Sequence, residues 1–360
     1  MVKPSSFIKN LEPYKITSQD VWSDMAPDNL LKLDWNEATQ DFGFYKDELC
    51  RIAHNRGILA WYPDYLSLKL TDALSEYVGI DSNNILTFPG SDVGLEYLCR
   101  AYLEPEDVVL TLSPTYENYF VYVLQVGASL VKIELEKPFI PDLTIIESRI
   151  NSIGTVKMVY LVSPNNPCGY ILPHDELKNL AKKFPETMFV IDEAYIEFTD
   201  TESFSILIKS FSNIVVFRTF SKGFGIAGVR LGYMCAPLTI INNVNKIRNG
   251  KNVSMIAQRL GICALENINK IKEWLQEVRE SREEFQVWCA DNNIKYYPSH
   301  GNFVLFEVSQ PNEICSKLKS LGIYIRNRNK ILPGSVRVTI GSKAQVAYFI
   351  DALESMTELL

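Results

Sequence analysis

The chain has 360 residues, 47% hydrophobic and 22% charged, with a formal net charge of −7. That length supports one large domain with a smaller companion, and the composition is ordinary for a soluble globular enzyme. The acidic balance argues against nonspecific nucleic-acid binding, and no run nears the roughly 18 apolar residues of a membrane span.

The first forty or so residues are irregular, with Pro4, Pro13 and Pro27, and read as an arm (1–40) that joins the small domain. They open Met-Val-Lys-Pro-Ser-Ser-Phe with no apolar signal core behind the lysine, so a cytoplasmic protein is expected. Short β-branched runs then alternate with longer helical patterns. The expected strands are Ile85–Phe88, Asp107–Thr111, Ser129–Ile133, Met158–Val162, Met188–Asp192, Ile214–Phe217 and Leu231–Met234. Their nearly continuous apolar character predicts strands covered on both faces. Helical patterns over Gly94–Tyr102, Tyr116–Val126 and His174–Phe184 fall between them. The alternation predicts an α/β fold with a mostly parallel seven-stranded sheet over residues 41–255. Beyond about residue 255 a charged amphipathic stretch, Asn267–Asn292, precedes strand-like Asn302–Glu307, Ile323–Arg326 and Val336–Thr339. A helical pattern follows them, so 256–360 read as a small α+β domain. The seven scattered cysteines form no CxxC and the three histidines have no ligand spacing, so neither a disulfide framework nor a metal site is expected.

In parallel α/β sheets ligands collect beyond the carboxyl ends of the strands. Asp192, Asn166 and Ser221-Lys222 each follow such a strand. Taken alone, Asp192 is an ordinary loop or capping acid, Pro164-Asn-Asn-Pro-Cys-Gly169 is a turn, and Tyr116 is a core aromatic. Together they form a chemical set. Lys222 between Ser221 and Gly223 offers an amine for the aldehyde of pyridoxal phosphate. Asp192 offers a carboxylate for its pyridine nitrogen, and Tyr195 and Asn166 offer hydrogen bonds to its phenolic oxygen. Gly90-Ser-Asp-Val-Gly94 lies at a strand-to-helix junction, where N–H groups can face an anion. Ser221 and Arg230 add a hydroxyl and a forked cation, and Tyr116 has the option of stacking on the ring. Arg337 and Arg326 sit in strand-like segments, where the usual place is a solvent face. The alternative is recognition of a substrate carboxylate or phosphate.

These segments resemble the fold-type I pyridoxal-phosphate aminotransferases, most closely the histidinol-phosphate aminotransferase-like group. The stretches that carry the resemblance are Trp61-Tyr-Pro-Asp64, Gly90-Ser-Asp92, Ser113-Pro-Thr-Tyr116 and Ser163-Pro-Asn-Asn-Pro167, followed by Asp192-Glu-Ala-Tyr-Ile-Glu-Phe198, Arg218-Thr-Phe-Ser-Lys222, Ala227-Gly-Val-Arg230 and Arg337-Val-Thr-Ile-Gly341. The resemblance runs from about Leu33 to the C-terminus and implies the aspartate aminotransferase-like architecture. It makes Lys222 the Schiff-base lysine and proton shuttle, with Asp192 and Tyr195 as its catalytic companions. It places Ser91, Asp92, Ser221 and Arg230 around the cofactor phosphate. Tyr62 would reach the cofactor phosphate of a neighbouring subunit, which implies a homodimer with shared active sites. The substrate end would draw on Arg337, Arg326, Asn36 and Tyr14.

Several positions depart from the family pattern. Val93 follows Asp92, Cys168 stands in Pro167-Cys168-Gly169, and Gly223 follows the lysine; none removes a catalytic group. The arm reads Pro13-Tyr14-Lys-Ile-Thr-Ser with no arginine, and Asn249-Gly-Lys-Asn-Val-Ser254 is also unusual. Both regions would lie near the substrate end. The resemblance therefore leaves the amine open between histidinol phosphate and a smaller amino-alcohol phosphate such as serinol phosphate, with glutamate as the donor. A decarboxylase of phosphorylated threonine or serine is the alternative reaction on the same cofactor. A cofactor-binding regulator is the non-enzymatic one, and it would need a DNA-binding domain for which the first forty residues are too short and too little basic.

Overall fold

A computed structural model describes residues 2–9, 11–12 and 30–360. Tyr14 lies outside the described residues. The strands are β1 (Leu31–Leu33), β2 (Ile85–Phe88), β3 (Val108–Ser113), β4 (Ser129–Glu134), β5 (Met158–Val162), β6 (Met188–Asp192), β7 (Ile214–Thr219), β8 (Gly232–Cys235), β9 (Tyr296–Tyr297), β10 (Phe303–Glu307), β11 (Ile323–Asn327) and β12 (Ser335–Thr339). They form two sheets. The larger has the order β2-β8-β7-β6-β5-β3-β4, and the smaller has the order β1-β11-β12-β10-β9. In the large sheet only β8 runs antiparallel to its neighbours β2 and β7. The expected mostly parallel seven-stranded sheet is the one observed.

Alternation along the central strands divides their side chains between two hydrophobic layers, as the two-residue period requires. Tyr160, Val162, Val190, Val215 and Phe217 pack on one face with Phe88, Leu95 and Leu98 of the helix Ser91–Tyr102. Val159, Leu161, Ile191 and Val216 pack on the other with Leu177 and Leu180 of the helix His174–Lys183. Continuous burial of β5, β6 and β7 explains their unbroken apolar sequences. Strand β4 departs from the expectation of two covered faces. It is one edge of the sheet, and no residue of it is fully buried.

In the small sheet β1 lies parallel to β11, and the other pairings are antiparallel. The 24-residue helix Ile268–Asp291 covers this sheet, with Phe285 against Phe306 and Phe349 at ring separations of 5.5 and 5.6 Å. Among the described residues no helix is long and apolar enough to cross a membrane.

Candidate active site

The carboxyl ends of β5, β6 and β7 open on a cavity of about 260 Å³ that also receives residues of the small sheet. Its lining includes Ser91, Asp92, Tyr116, Asn166, Asp192, Tyr195, Ser221, Lys222, Arg230, Arg326 and Arg337. Eleven residues singled out from sequence thus meet in one place. Tyr62 does not: it is 74% exposed, away from the cavity, with Lys251 Nζ 4.0 Å from its ring centre. Asn36 sits behind the wall and is fully buried; its amide donates to Tyr195 Oη at 3.1 Å.

Strand β6 ends at Asp192, beside β7, which leads into Ser221 and Lys222. Asp192 is buried, and its Oδ2 accepts a hydrogen bond from Tyr160 at 2.9 Å while Oδ1 accepts from the Ala194 N–H at 3.1 Å. Burial pushes its carboxyl up to about 6 and nearby Asp92 adds to that, while the Tyr160 and Ala194 bonds oppose it. It is therefore largely ionised at neutral pH and set to hold a cation. Lys222 Nζ donates to the Trp35 carbonyl at 2.7 Å. Burial pushes the lysine down to about 8, with Arg337 and Lys32 acting the same way against Glu37 and Asp92. A half-buried amine lowered toward neutrality suits both nucleophilic attack on an aldehyde and proton transfer.

Tyr195 Oη accepts from the amides of Asn36 and Asn166, each at 3.1 Å, so its own proton can point elsewhere. Burial raises its phenol, Asp192 adds to this, and Arg337 with the two amides pulls the other way. At the opposite wall the helix Ser91–Tyr102 begins without a side-chain cap. Its first-turn N–H groups and dipole favour an anion there. Arg230 Nη1 donates to Ser221 Oγ at 3.3 Å and Nη2 lies 4.0 Å from Asp92 Oδ2. Asp92 also accepts from Tyr116 Oη at 3.0 Å.

The donor set fits pyridoxal phosphate. Gly90, at φ +88°, is where the backbone and Arg230 come closest: a Cβ there would lie 2.6 Å from Arg230 Nη2. Absence of a side chain leaves the helix start and the guanidinium near enough to share one phosphate. Lys222 would supply the amine, and Asp192 the buried carboxylate.

Arg337 stands at the far end of the cavity, donating to Asn166 Oδ1 at 2.6 Å and to the Asp34 carbonyl at 2.8 Å. It faces Arg326 directly across the β11–β12 ladder. Burial pushes Arg337 down to about 9, and the neighbouring Arg328 and Arg326 contribute to that.

Sequence reasoning missed Tyr160, Trp35, Asp34 and Arg328. A tyrosine within the otherwise apolar Met158-Val-Tyr-Leu-Val162 was a readable signal, because a buried hydroxyl needs a partner. Arg328, two residues past Arg326, was readable from the strand period. Trp35 acts through its carbonyl, which leaves no trace in the side-chain pattern.

Fold and cavity together define the aspartate aminotransferase-like class of pyridoxal-phosphate enzymes. The chain belongs to the aminotransferase class I and II family, whose sequence profile matches residues 28–353, and falls in its histidinol-phosphate aminotransferase-like group. It is 32% identical to a dihydroxyacetone phosphate transaminase of Campylobacter jejuni over 98% of this chain and 96% of that protein. It is 34% identical to a histidinol-phosphate aminotransferase of Christiangramia forsetii over 99% of this chain and 97% of that protein. The histidinol-phosphate aminotransferase of Sinorhizobium meliloti, solved with pyridoxal-5′-phosphate, superposes with a TM-score of 0.87 at 24% identity, covering 99% of each chain, and shares the fold.

Proposed function

We propose that this aminotransferase moves an amino group between glutamate and a small phosphorylated amine, with serinol phosphate and histidinol phosphate as the two candidates. The observation that carries this reading is the pair of cationic ends of the cavity. Arg230 and the helix start at Ser91 serve one anion; Arg337 and Arg326 serve a second. Lys222 lies within electrostatic reach of Asp92 at the first end and Arg337 at the second. A cofactor phosphate and a substrate anion account for both. The Campylobacter relative is named for dihydroxyacetone phosphate, whose amino counterpart is serinol phosphate, and this supports the smaller substrate.

When bound, pyridoxal phosphate supplies an electron-withdrawing ring that carries the amino group between the two half-reactions. The residues prepare the rest. Asp192 holds a positive charge at the ring nitrogen, and Tyr195 with Asn166 fixes the phenolic oxygen. Ser91, Asp92, Ser221 and Arg230 seat the phosphate, while Tyr116 lies along the wall. Lys222 Nζ, lowered toward neutrality, takes the proton from the substrate α-carbon. Arg337 and Arg326 orient the substrate by its anionic end, which fixes the bond that faces the lysine.

The same reading makes the protein a cytoplasmic homodimer with its small domain beginning near residue 256. Leu59, Trp61, Tyr62, Tyr65, Leu66 and Leu68 form one exposed apolar stretch, more than a monomer ordinarily leaves open. A second copy covers it and receives Tyr62.

The test supplies cofactor-loaded protein with 2-oxoglutarate and either serinol phosphate or histidinol phosphate, and measures glutamate. Glutamate is expected from at least one phosphorylated amine and far more slowly from its dephosphorylated parent. Equal rates with and without the phosphate contradict the proposal. Carbon dioxide released from phosphothreonine or phosphoserine, with no glutamate formed from any amine, points to the decarboxylase instead.

A further inference from the structure

Consecutive residues after β1, Asp34, Trp35 and Asn36, each touch a different part of the site. The Asp34 carbonyl accepts from Arg337 Nη2 at 2.8 Å, and the Trp35 carbonyl accepts from Lys222 Nζ at 2.7 Å. The Asn36 amide donates to Tyr195 Oη at 3.1 Å. Asn36 shapes this segment. It is fully buried, and its backbone is left-handed, with φ at +54°. Apart from glycine, asparagine and aspartate tolerate that conformation best, and it persists only where the surroundings hold it. The Asn36 N–H donates to Thr339 Oγ1 at 3.0 Å, and the Asn36 carbonyl accepts from Asn302 Nδ2 at 3.1 Å. In a trans peptide the N–H and C=O point opposite ways. Pinning the Asn36 N–H to Thr339 of β12 therefore aims the Trp35 carbonyl the other way, at Lys222.

The same contacts decide which end of the Asn36 amide faces Tyr195. Thr339 Oγ1 accepts from the Asn36 N–H, so its own proton is available to Asn36 Oδ1, 3.4 Å away. That leaves Nδ2, a donor, toward the phenol. Asn166 is oriented in the same manner: its Oδ1 accepts from Arg337 at 2.6 Å, and its Nδ2 donates to Tyr195 Oη at 3.1 Å. Phe303 stands edge-on against the Tyr195 ring at a centroid separation of 5.0 Å. With both acceptor positions of its oxygen taken by amides, Tyr195 has to give its proton to something other than these two side chains. Tyr195 lines the cavity, so a group bound there is the available acceptor.

We propose that Asn36 is a positioning residue, whose buried amide fixes the Tyr195 hydroxyl as a hydrogen-bond donor to the phenolic oxygen of the cofactor, and that it acts through Tyr195 rather than by binding substrate. The proposal rests on the assignment of Tyr195 to that oxygen in the reading above.

The experiment loads wild type, Asn36→Gly, Asn36→Asp and Tyr195→Phe with pyridoxal phosphate and measures the pH midpoint of the cofactor's visible absorbance. That midpoint reports the proton on the nitrogen joining Lys222 to the cofactor. A donor on the phenolic oxygen draws away the electrons that help hold this proton, so a weaker donor raises the midpoint. Asn36→Gly accepts the left-handed backbone and removes only the amide, so the midpoint should rise by about 0.5–1 pH unit, the worth of one neutral hydrogen bond. Asn36→Asp keeps the size and the backbone tolerance but turns the donor into an acceptor. Its carboxylate takes the Tyr195 proton, and the midpoint should rise further, toward that of Tyr195→Phe. In the half-reaction with L-glutamate both Asn36 variants should lower kcat while KM changes by less than about twofold. A purely structural asparagine would lower the melting midpoint and leave the absorbance midpoint in place. An absorbance midpoint unmoved in Asn36→Gly, while Tyr195→Phe shifts it, overturns the proposal and leaves the role of Tyr195 standing. A shift in Asn36→Asp alone reports only the added charge and overturns it equally. An unmoved midpoint in Tyr195→Phe as well overturns both. Should Asn36→Asp fail to fold, Asn36→Gly decides, since glycine adopts this φ without strain.

Discussion

Lys222 is expected to destabilise the cofactor-free protein at neutral pH, and Lys222→Met to relieve the cost. The lysine is lowered from 10.5 to about 8 in the folded chain. Its folded-state pKa lies below its unfolded one, so the folded state bears the full penalty below pH 8. The penalty shrinks as pH rises, because between 8 and 10.5 the unfolded chain binds more protons than the folded one. At about 1.4 kcal/mol per pH unit the unscreened cost is roughly 3 kcal/mol at pH 7 and about 1.4 kcal/mol at pH 9.5. The side chain is only half-buried by surface area, and water in the open cavity screens part of this. Loss of the bond to the Trp35 carbonyl offsets about 1 kcal/mol of the gain. The pH dependence is therefore the cleaner quantity. The stability advantage of Lys222→Met should narrow by roughly 1–2 kcal/mol between pH 7 and pH 9.5. With an unfolding entropy of about 2.1 cal/mol/K per residue, that is about 1–3 °C in the difference of melting midpoints. Calorimetry of the two cofactor-free proteins at both pH values measures it. A difference that is constant with pH, or that widens, refutes the argument that burial lowers this amine.

Three further outcomes follow from other contacts. Gly90→Ala forces a Cβ to within 2.6 Å of Arg230 Nη2 at a φ of +88°, so cofactor affinity should fall about 10- to 100-fold by titration, with the fold intact by circular dichroism. Glu197→Ala removes one half of the buried pair with Arg218, 2.7 Å apart, and loosens the packing of Glu197 against Gly223 next to the lysine. Arg218 keeps Glu193 at 4.0 Å and the Tyr77 hydroxyl at 3.3 Å, so the loss of one charged hydrogen bond should cost about 1–3 kcal/mol, or about 1–4 °C in the melting midpoint. Mixing Tyr62→Phe and Lys222→Ala subunits should restore part of the activity that each lacks alone, because one site of a mixed dimer keeps both residues. Proven mixed dimers with no recovery would place Tyr62 outside the site.

Much of the large sheet was legible because its central strands are covered on both faces and cannot contain polar residues without a reason. Met188–Asp192 is the clearest case: four apolar residues, then an acid where the strand leaves the core. Strand β1 was not legible, since Leu31-Lys-Leu33 is three residues long and gains its identity only from pairing with β11. Lys222, Asp192 and Arg230 were legible as a chemical set. Asn36 was expected at the substrate end, but its surroundings are set by distant residues, the Tyr195 hydroxyl, Thr339 and Asn302. Tyr62 stands 74% exposed and outside the cavity of its own chain, so the role proposed for it needs a second copy.

The central claim is that this cavity performs transamination from glutamate through Lys222. It is tested most directly by mixing cofactor-loaded protein with L-glutamate, with no acceptor present, and measuring 2-oxoglutarate released per site. One equivalent, with a matching change in the cofactor's visible absorbance that 2-oxoglutarate reverses, is the predicted result, and Lys222→Ala should release none within the same time. No 2-oxoglutarate from fully loaded wild type, or an equal yield from Lys222→Ala, contradicts the account.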